Sequence, residues 1–332
     1  MKVFITGASG FVGSTLCDEL TKQGHEVFAL MRKSSKRGHL TNAKYTPVAG
    51  DLRDRASLVE AVNDAEVILH VAGVIAARSR EEFFASNVDG TRNVAEAAIA
   101  GTKNLKRFVY VSSLAAAGPA ERGGIRQESE GEHPVSWYGE SKLGGELALR
   151  ELGAKLPSVV VRPPAVYGPR DSGIFTFFET VNRGILPALG MENPDPRRYS
   201  FVHVEDLVQG ILAAAFSPKQ FSPAEVFYIC GDEVSSWEDA MRGIAKALEK
   251  KTIRVPLPLA VMKGAAALCS AYTKVTGNLL PLSLDKIKEL EAYAWTCSSQ
   301  KAKKELGFTP YWGLEKGFRQ TALWYRENGW LK

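Results

Sequence analysis

Three glycines follow the first apolar run of the chain at intervals of three residues. The run KVFIT (2–6) is typical of a short buried strand, and FVGSTLCDELTKQG (11–24) has the spacing of an amphipathic helix. Gly7, Gly10 and Gly13 therefore lie in a turn between a strand and a helix. Because glycine has no side chain, such a turn lets a pyrophosphate approach the backbone N–H groups at the helix N-terminus. The segment TGASGFVG predicts a nucleotide-binding βαβ unit; glycines kept only for helix–strand packing are the alternative.

Apolar runs and helical patterns continue to alternate through the first half of the chain. The apolar runs are continuous, as expected for strands that helices cover on both faces. The pattern predicts an α/β fold with a doubly wound parallel Rossmann sheet. Further predicted strands are EVFALM (26–31), EVILHVA (66–72), RFVYVSS (107–113) and SVVVRP (158–163). Further predicted helices are ASLVEAVND (56–64), REEFFASNVDGTRNVAEAAIAG (80–101) and WYGESKLGGELALREL (137–152).

The regular alternation ends at about residue 168, where proline and glycine become frequent. We therefore predict a Rossmann domain over residues 1–168. The rest of the chain, 169–332, is predicted to form a smaller, mostly helical substrate-binding lobe. Within it, SFVHVEDLVQGILAAAF and EVFYICG have the pattern of a strand, a helix and a strand. Residues 200–231 are therefore expected to return to the first sheet.

The composition favours a globular protein over several other classes of protein. The chain has 332 residues, of which 45% are hydrophobic and 24% are charged, as in a water-soluble globular protein. Its net charge of +5 is scattered, so no nucleic-acid partner is expected. The four cysteines are far apart and form no C-x-x-C pair, which predicts free thiols, and no metal ligand is assigned. No secretory leader pattern precedes the first strand, so a cytoplasmic location is expected.

One long apolar stretch, VPLPLAVMKGAAALCSAYTKVTGNLLPLSL (255–284), does not fit a simple surface loop. Two lysines and several glycines and prolines keep it below the unbroken length of a membrane-spanning helix. We predict a buried or pocket-lining helix here. Contact with a membrane surface is the alternative.

The residues after the second strand bear on the choice of dinucleotide. A site selective for NAD carries Asp or Glu about 20 residues past the glycines, to bond the ribose 2′-hydroxyl. The window LMRKSSKR (30–37) contains no acid but has Arg32, Lys33, Lys36 and Arg37. Because a guanidinium pairs well with phosphate oxygens, NADP(H) is the preferred cofactor, with NAD(H) as the alternative.

The segment GDLRD (50–54) follows the third strand and is expected to lie near the adenine. Asp51 and Leu52 are the predicted contacts. For Asp54, a helix N-cap is an equally good interpretation.

The segment SWYGESK (136–142) places a tyrosine one helical turn before a lysine. Tyr138 and Lys142 would share a helix face. An ammonium group near a phenol favours the phenolate, so Lys142 is expected to lower the pKa of Tyr138. Ordinary packing is the alternative for an isolated Tyr-x-x-x-Lys.

Taken together, these motifs resemble those of the extended short-chain dehydrogenase/reductases, almost from end to end of the chain. TGASGFVG matches the family's TGxxGxxG, and YGESK contains its YxxxK. NVDGTRN matches NVxGTxN and RPPAVYGP matches RPxxVYGP, while HVAG departs from the usual HxAA at its last residue. The resemblance implies that Tyr138 is the general acid/base, that Lys142 lowers its pKa and binds the nicotinamide ribose, and that Ser113 holds the substrate oxygen.

The resemblance also implies a set of cofactor contacts. Ser112 and Asn87 have packing roles as alternatives. Besides the residues already named, the predicted contacts are Ser9, Phe11, Val12, Val71, Ala72, Gly73, Asn87, Val111, Ser112, Pro163, Ala165 and Val166.

Within the family, the motifs favour a redox enzyme. Ser113 is followed by LAAAG, without the acidic pair of sugar dehydratases. Epimerases commonly carry the motif Arg-Asp-Tyr/Phe-x-His-Val, and at its arginine position, four residues before His203, this chain has Tyr199. The apolar stretch 255–284 and the aromatic IFTFF (174–178) suggest a hydrophobic substrate wall, although core packing explains them equally well. The chain looks most similar to the dihydroflavonol reductase and 3β-hydroxysteroid dehydrogenase branch.

The resulting hypothesis is an NAD(P)(H)-dependent oxidoreductase that acts on a ketone or secondary alcohol with an apolar body. A nucleotide-sugar epimerase with tightly bound NAD is the first alternative, and a redox-silent NADP-binding regulator is the second. Extended members often form homodimers through two long helices, here around 81–100 and 137–152. Small residues in AEAAIA and GGELAL permit such pairing, although packing on the protein's own sheet explains much of that pattern.

Overall fold

Thirteen strands are found in the described part of the chain. The computed structural model describes residues 1–35, 38–40, 43–192, 194–280 and 282–332. The strands are β1 (Lys2–Thr6), β2 (Glu26–Met31), β3 (Tyr45–Ala49), β4 (Val67–His70), β5 (Arg107–Val111), β6 (Ser158–Arg162), β7 (Ala165–Tyr167), β8 (Ile185–Leu189), β9 (Arg198–His203), β10 (Glu225–Tyr228), β11 (Val234–Ser235), β12 (Ile253–Leu257) and β13 (Ala294–Trp295). Seven of them form one parallel sheet in the order β10-β6-β5-β4-β1-β2-β3.

The described part of the chain contains thirteen α-helices, and several of them cover both faces of this sheet. They are α1 (Phe11–Lys22), α2 (Arg55–Ala61), α3 (Arg80–Phe84), α4 (Gly90–Gly101), α5 (Leu114–Ala117), α6 (Trp137–Leu152), α7 (Ser172–Asn182), α8 (Val204–Phe216), α9 (Trp237–Leu248), α10 (Leu259–Thr276), α11 (Leu284–Glu291), α12 (Gln300–Leu306) and α13 (Leu314–Glu327). Alternate residues of β1 show the two layers. Val3 and Ile5 pack in a buried cluster with α1, α8 and α12, whereas Phe4 packs with α2, α4 and α6. The predicted doubly wound parallel Rossmann sheet is confirmed.

The helix predicted over 80–101 needs a correction, because its middle is wound differently. Residues Ala85–Asp89 form a π-helical turn between α3 and α4. The side chain of Asn87, in this turn, is bonded to the backbone of Val74. An inserted residue of this kind re-aims a side chain and is common at functional sites. Periodicity alone does not reveal such an insertion.

The segment 200–231 divides between two sheets. β10 pairs with β6 and so extends the large sheet, and α8 packs on the face formed by β5 and β6. β9 instead lies in a smaller sheet with β7, β11 and β13. The expected return to the first sheet therefore applies to α8 and β10 but not to β9. The division of the chain at residue 168 stays a prediction.

Within residues 169–332, a separate aromatic core packs α7, α9, α13 and β8 against one another. In the IFTFF stretch, Phe178 is fully buried in this core. Phe175 packs edge-to-face on Tyr325, and Phe177 packs in the same way on Trp237. These rings stabilise the lobe, so core packing is the better account of this stretch.

Among the described residues of the apolar stretch 255–284, only Ala266 is buried, which corrects the part of the prediction that placed a buried helix here. α10 has a single buried residue, Ala266, and packs mainly against α11. No helix in the described ranges is long and apolar enough to cross a membrane. Residues 277–279, just after α10, border a cavity of about 330 Å³ that is also lined by Val74 and Arg78.

Candidate active site

The turn between β1 and α1 has room for backbone only. Gly7 has a φ of +75°, and the Gly10 N–H donates to the Gly7 carbonyl over 3.0 Å. A Cβ atom on Gly13 would lie 2.1 Å from that same carbonyl oxygen. The turn leaves α1 with its N-terminus at the carboxyl edge of the sheet, and Gly10 is exposed there. This geometry suits the pyrophosphate of a dinucleotide, whose charge the N-terminal N–H groups can bind.

The loop after β4 packs directly against this turn. A Cβ on Gly7 would lie 2.7 Å from the Ala72 nitrogen. The Ala72 N–H donates to Thr6 Oγ1 over 3.2 Å, and Thr6 Oγ1 lies 2.7 Å from His70 Nδ1. Burial, with a contribution from the Lys142 charge, lowers the pKa of His70 to about 3. His70 is therefore a neutral structural group that fixes the position of residues 71–73.

The predicted catalytic serine and tyrosine lie at neighbouring helix starts. Ser113 is the N-cap of α5, and its hydroxyl accepts a hydrogen bond from the Ala115 N–H over 3.1 Å. Tyr138 is in the first turn of α6, which Ser136 caps. Burial raises the pKa of Tyr138 to about 12, and the Ser113 hydroxyl opposes part of this rise. The phenol is therefore protonated at neutral pH.

Lys142 lies one turn further along α6 and is 4% exposed. Its ammonium group donates to the Val111 carbonyl over 2.7 Å and lies 4.4 Å from the centre of the Tyr110 ring. Burial lowers the pKa of Lys142 to about 7, against the opposing charge of Glu146. The lysine thus joins α6 to the last residue of β5, which directly precedes Ser112 and Ser113.

The pKa of Tyr138 is shifted in the direction opposite to the one predicted. We predicted a lowered pKa for the phenol, whereas burial raises it. The physical reason is the direction of the ammonium group, which is bonded to the Val111 carbonyl and covers the Tyr110 ring. Sharing a helix face does not by itself bring two charged ends together.

Asn87 holds the loop after β4 against α6. Its Oδ1 accepts from the Val74 N–H over 2.8 Å, and its Nδ2 donates to the Val74 carbonyl over 3.0 Å and to Ser141 Oγ over 2.9 Å. Gly73 lies alongside, since a Cβ there would be 3.0 Å from Asn87 Oδ1 and 3.5 Å from Lys142 Nζ. The polar atoms of Asn87 are thus bonded within the protein, which favours a positioning role over cofactor contact.

Glu146 and Arg162 form a buried ionic cluster next to Ser112 that was not predicted from the sequence. Glu146 and Arg162 are 0% and 1% exposed, and Arg162 Nη2 lies 2.5 Å from Glu146 Oε2. Burial lowers the pKa of Arg162, but the hydrogen bonds and charge of Glu146 outweigh this and raise it above its usual value. Ser112 donates to Glu146 Oε1 over 2.5 Å, which explains the packing role of this serine. The sequence feature that could have indicated this cluster is the glutamate one helical turn after Lys142, on the same face of α6.

The lobe contacts the beginning of α6. Ser136 Oγ donates to Glu289 Oε1 over 2.6 Å, and the Trp137 N–H donates to Asp285 Oδ2 over 2.9 Å. Both carboxylates belong to α11. They lie at the helix end where the backbone dipole favours negative charge. The first turn that carries Tyr138 is therefore fixed by the lobe as well as by the sheet.

The basic loop after β2 is only partly described. Arg32 and Lys33 are exposed at the carboxyl end of β2, and the Arg32 N–H donates to Ser35 Oγ over 2.9 Å. Lys36 and Arg37 lie outside the described residues. The exposed guanidinium of Arg32 is at the sheet edge where the predicted adenosine ribose would lie.

The two aspartates of the GDLRD segment, Asp51 and Asp54, have different structural roles. Asp51 Oδ1 accepts from the Arg53 N–H over 2.9 Å, which shapes the loop after β3. Asp54 is the N-cap of α2 and accepts from the Ala56 and Ser57 N–H groups. The capping interpretation of Asp54 is thus the one that the structure shows.

The predicted site residues follow the carboxyl ends of adjacent parallel strands, so the fold brings them to one edge of the sheet. Ala165 is exposed and Val166 is half-buried on β7. The groups at this edge follow β1 (Gly7, Ser9, Gly10, Phe11, Val12, Gly13), β2 (Arg32, Lys33), β3 (Asp51, Leu52), β4 (Val71, Ala72, Gly73), β5 (Ser112, Ser113, next to Val111) and β6 (Pro163, Ala165, Val166).

Several known proteins are similar to this chain over most or nearly all of its length. The model of the NAD-dependent epimerase/dehydratase family matches residues 3–230. A ceramide reductase of Caulobacter vibrioides is 34% identical over 330 residues, covering 99% of this chain and 96% of that protein. A 3β-hydroxysteroid dehydrogenase of Mycolicibacterium neoaurum is 27% identical over 350 residues, covering 98% and 92%.

A solved structure supports the fold independently. The UDP-glucuronic acid 4-epimerase of Bacillus cereus, in complex with UDP-glucuronic acid and NAD, superposes with a TM-score of 0.79 at 22% identity. The match covers 99% of this chain and 100% of the other. The chain therefore belongs to the NAD-dependent epimerase/dehydratase family and is an NAD(P)-dependent oxidoreductase of the extended short-chain dehydrogenase/reductase type.

Proposed function

We propose that the protein transfers hydride between NADP(H) and a ketone or secondary alcohol whose body is apolar, with Tyr138 as the general acid/base. The observation that carries this proposal is the protonated Tyr138 phenol beside the Ser113 hydroxyl, at the sheet edge that also bears the glycine turn. With a pKa of about 12, Tyr138 is present at neutral pH as the phenol, which can donate a proton, and the phenolate that would accept one is scarcely populated. This state suits reduction of a ketone better than oxidation of an alcohol.

Each side chain has a distinct part in the proposed reaction. The nicotinamide, when bound, supplies the hydride that reaches the carbonyl carbon. Ser113 donates a hydrogen bond to the carbonyl oxygen, and Tyr138 transfers its proton to that oxygen as charge develops there. Lys142, held at the end of β5, is placed to bind the nicotinamide ribose. Its low pKa lets it take part in replacing the proton that Tyr138 gives up.

Two observations support a substrate with an apolar body. The ceramide reductase and the 3β-hydroxysteroid dehydrogenase are named for lipid-like substrates. In this chain, residues 277–279 follow an exposed apolar helix and border a cavity whose lining is mixed, with Val74 and Leu279 beside charged side chains such as Arg78. We therefore place the substrate among amphipathic lipids or polycyclic ketones.

The direct test is a substrate screen with NADPH and with NADH. Long-chain keto lipids, steroid ketones, flavonoid ketones and UDP-sugars are offered separately, and the absorbance of the reduced cofactor is followed. We expect net consumption of NADPH with an apolar ketone. Interconversion of UDP-sugar epimers without net cofactor consumption would contradict the proposal and identify an epimerase.

The epimerase alternative is disfavoured by the residue at the position of the family's diphosphate-binding arginine. Tyr199 stands where epimerases have an arginine, and its ring is 9% exposed in the lobe core. Arg197 Nη1 is bonded to Asp195 Oδ1 over 3.0 Å, and Arg198 Nη1 to the Asp195 carbonyl over 2.9 Å. Neither neighbouring arginine is placed to substitute. A redox-silent regulator is disfavoured because Ser113, Tyr138 and Lys142 are all retained.

The proposed preference for NADP(H) predicts a difference in affinity between NADPH and NADH that a single substitution should reverse. With no carboxylate between Leu30 and Arg37, nothing repels a 2′-phosphate, and Arg32 can pair with it. One charge-assisted hydrogen bond contributes about 1.5–3 kcal/mol, or roughly 10- to 150-fold in affinity. We expect NADPH to bind at least about tenfold more tightly than NADH and the preference to weaken as salt rises.

Calorimetric titration of both cofactors measures this preference. Arg32→Asp should reverse it, because the carboxylate repels phosphate and accepts the 2′-hydroxyl. Arg183→Asp makes the same charge change on the lobe, where Arg183 is 69% exposed, and should leave the preference unaltered. Equal affinities in the wild type, or NAD that co-purifies with it, would refute the NADP assignment.

We also propose that the protein is a homodimer that pairs α4 and α6 with the same helices of a second copy. Ile99 and Leu147 are 37% and 45% exposed on these helices. A carboxylate in an isologous contact is buried twice, once from each copy. Leu147→Glu should therefore shift sedimentation at micromolar concentration from dimer to monomer. A wild-type protein that sediments as a monomer would exclude the dimer.

A further inference from the structure

Three residues of α6, each one helical turn from the next, contact the three consecutive residues that join β5 to α5. Tyr138, Lys142 and Glu146 follow one another at intervals of four residues, which places them on one face of the helix. Their partners are, in the same order, the Ser113 hydroxyl, the Val111 carbonyl and the Ser112 hydroxyl. The register of α6 on residues 111–113 therefore sets how the phenol of Tyr138 meets the hydroxyl of Ser113.

The carboxylate of Glu146 is fully buried, and both of its oxygens accept hydrogen bonds. Oε1 accepts from Ser112 Oγ over 2.5 Å and from Arg162 Nε over 2.9 Å. Oε2 accepts from Arg162 Nη2 over 2.5 Å. Because a guanidinium that pairs through two nitrogens fixes the plane of a carboxylate, Arg162 sets the direction in which Glu146 presents Oε1 to Ser112.

Ser112 links this ion pair to the reacting groups. It is buried, and its backbone N–H donates to the Val161 carbonyl of β6 over 2.8 Å. Its hydroxyl is bonded to Glu146, while the next residue, Ser113, is the N-cap of α5. A shift of Ser112 would displace Ser113 on one side and the Val111 carbonyl on the other, because the backbone connects them directly.

We propose that Glu146 is a positioning residue that acts through Ser112 on the reacting groups. By holding Ser112, it keeps the Ser113 hydroxyl and the carbonyl that binds the Lys142 ammonium group in their places. The effect on turnover rests on the proposed reaction, whereas the effect on Lys142 does not. The competing account is an ion pair with Arg162 that serves stability alone, and that account needs no bond to Ser112.

The charge of Glu146 also acts on Lys142, one turn away on α6. Burial lowers the pKa of Lys142 to about 7, and the charge of Glu146 opposes this change. The other ionisable groups near the ammonium group are Tyr138 on α6, Tyr110 on β5 and His70 on β4. Burial raises the pKa of both phenols and lowers that of His70 to about 3, so these three groups are neutral at neutral pH. Removing the charge of Glu146 should therefore make Lys142 lose its proton at a lower pH.

Ser112→Ala separates the two accounts, because it removes the bond to Glu146 but keeps the ion pair with Arg162. We expect kcat for ketone reduction to fall by about 10- to 10²-fold, as for a small misplacement of reacting groups. Ser158→Ala is the matched control, because it removes a buried hydroxyl bonded to the Ala224 N–H over 3.0 Å at the amino end of β6. It should retain wild-type kcat. Thermal melting verifies that both variants are folded, and equal kcat values for the two variants would overturn the proposal.

The protonation of Lys142 gives a second readout that needs no substrate. The NMR signal of its Cε, in protein with isotope-labelled lysine, is identified by its absence from Lys142→Met and followed against pH. Glu146→Gln should move the titration midpoint to lower pH, whereas Glu151→Gln, at the exposed end of the same helix, should leave it in place.

The two readouts separate failure of this inference from failure of the proposed reaction. A wild type that reduces no ketone refutes the reaction, and the Lys142 midpoint then decides whether Glu146 acts on the site. If Glu146→Gln does not fold, the kinetics of Ser112→Ala decide. An unmoved midpoint in folded Glu146→Gln would overturn the inference even for an active enzyme.

Discussion

Tyr138→Phe is expected to lower kcat for ketone reduction by about 10²- to 10⁴-fold, because it removes the hydroxyl that we propose as the proton donor. The ring remains, and with it the packing against Phe83, whose ring centre lies 6.2 Å away. Cofactor affinity should therefore change little. The effect should appear in kcat with both reduced cofactors, since it concerns the substrate oxygen.

Steady-state kinetics and cofactor titration of the same preparation measure the two quantities. Tyr311→Phe is the matched control, because Tyr311 is 69% exposed and lies far from the catalytic residues in the chain. It should retain wild-type kcat. Activity of Tyr138→Phe within threefold of the wild type would exclude Tyr138 as the proton donor.

Glu146→Gln is expected to lower the free energy of unfolding by about 3–5 kcal/mol, because it leaves the buried Arg162 guanidinium without its main counter-charge. Glu132 stays 3.0 Å from Arg162 Nη2, so the loss should fall toward the lower end of this range. The amide can still accept from Ser112 but no longer balances the charge. The end of β5 and the middle of α6 should therefore loosen together.

Denaturant unfolding with and without cofactor gives this free energy. Glu151→Gln is the control on the same helix, because Glu151 is 61% exposed and pairs with Arg92 at the surface. A surface pair of this kind contributes about 0–1 kcal/mol. If Glu146→Gln were no more destabilising than Glu151→Gln, the cluster would have no structural role.

The features that could be predicted from the sequence are those set by local pattern. Continuous apolar runs such as VILH (67–70) identify strands buried on both faces, and parallel order follows from the intervening helices. The glycine turn was predictable because a Cβ on Gly13 collides with the backbone of the same turn. Ser113, Tyr138 and Lys142 were found through motifs, and the sheet edge brings them together.

The features that escaped depend on contacts between distant segments. The bond between Glu146 and Arg162 joins α6 to β6 and has no signature beyond helical spacing. The π-helical turn at Ala85–Asp89 accompanies bonds from Asn87 to a loop thirteen residues earlier. The exposure of α10 depends on which face α11 covers, and hydropathy alone cannot specify that.

The contacts of α11 with the first turn of α6 have a consequence for exchanging substrate lobes between relatives. Glu289 and Asp285 accept hydrogen bonds from Ser136 Oγ and from the Trp137 N–H, so they help to position the helix turn that carries Tyr138. A transplanted lobe would bring a new pocket but would also replace these two carboxylates. A chimera that keeps them should retain the placement of Tyr138, whereas one without them would acquire a new specificity together with a displaced proton donor.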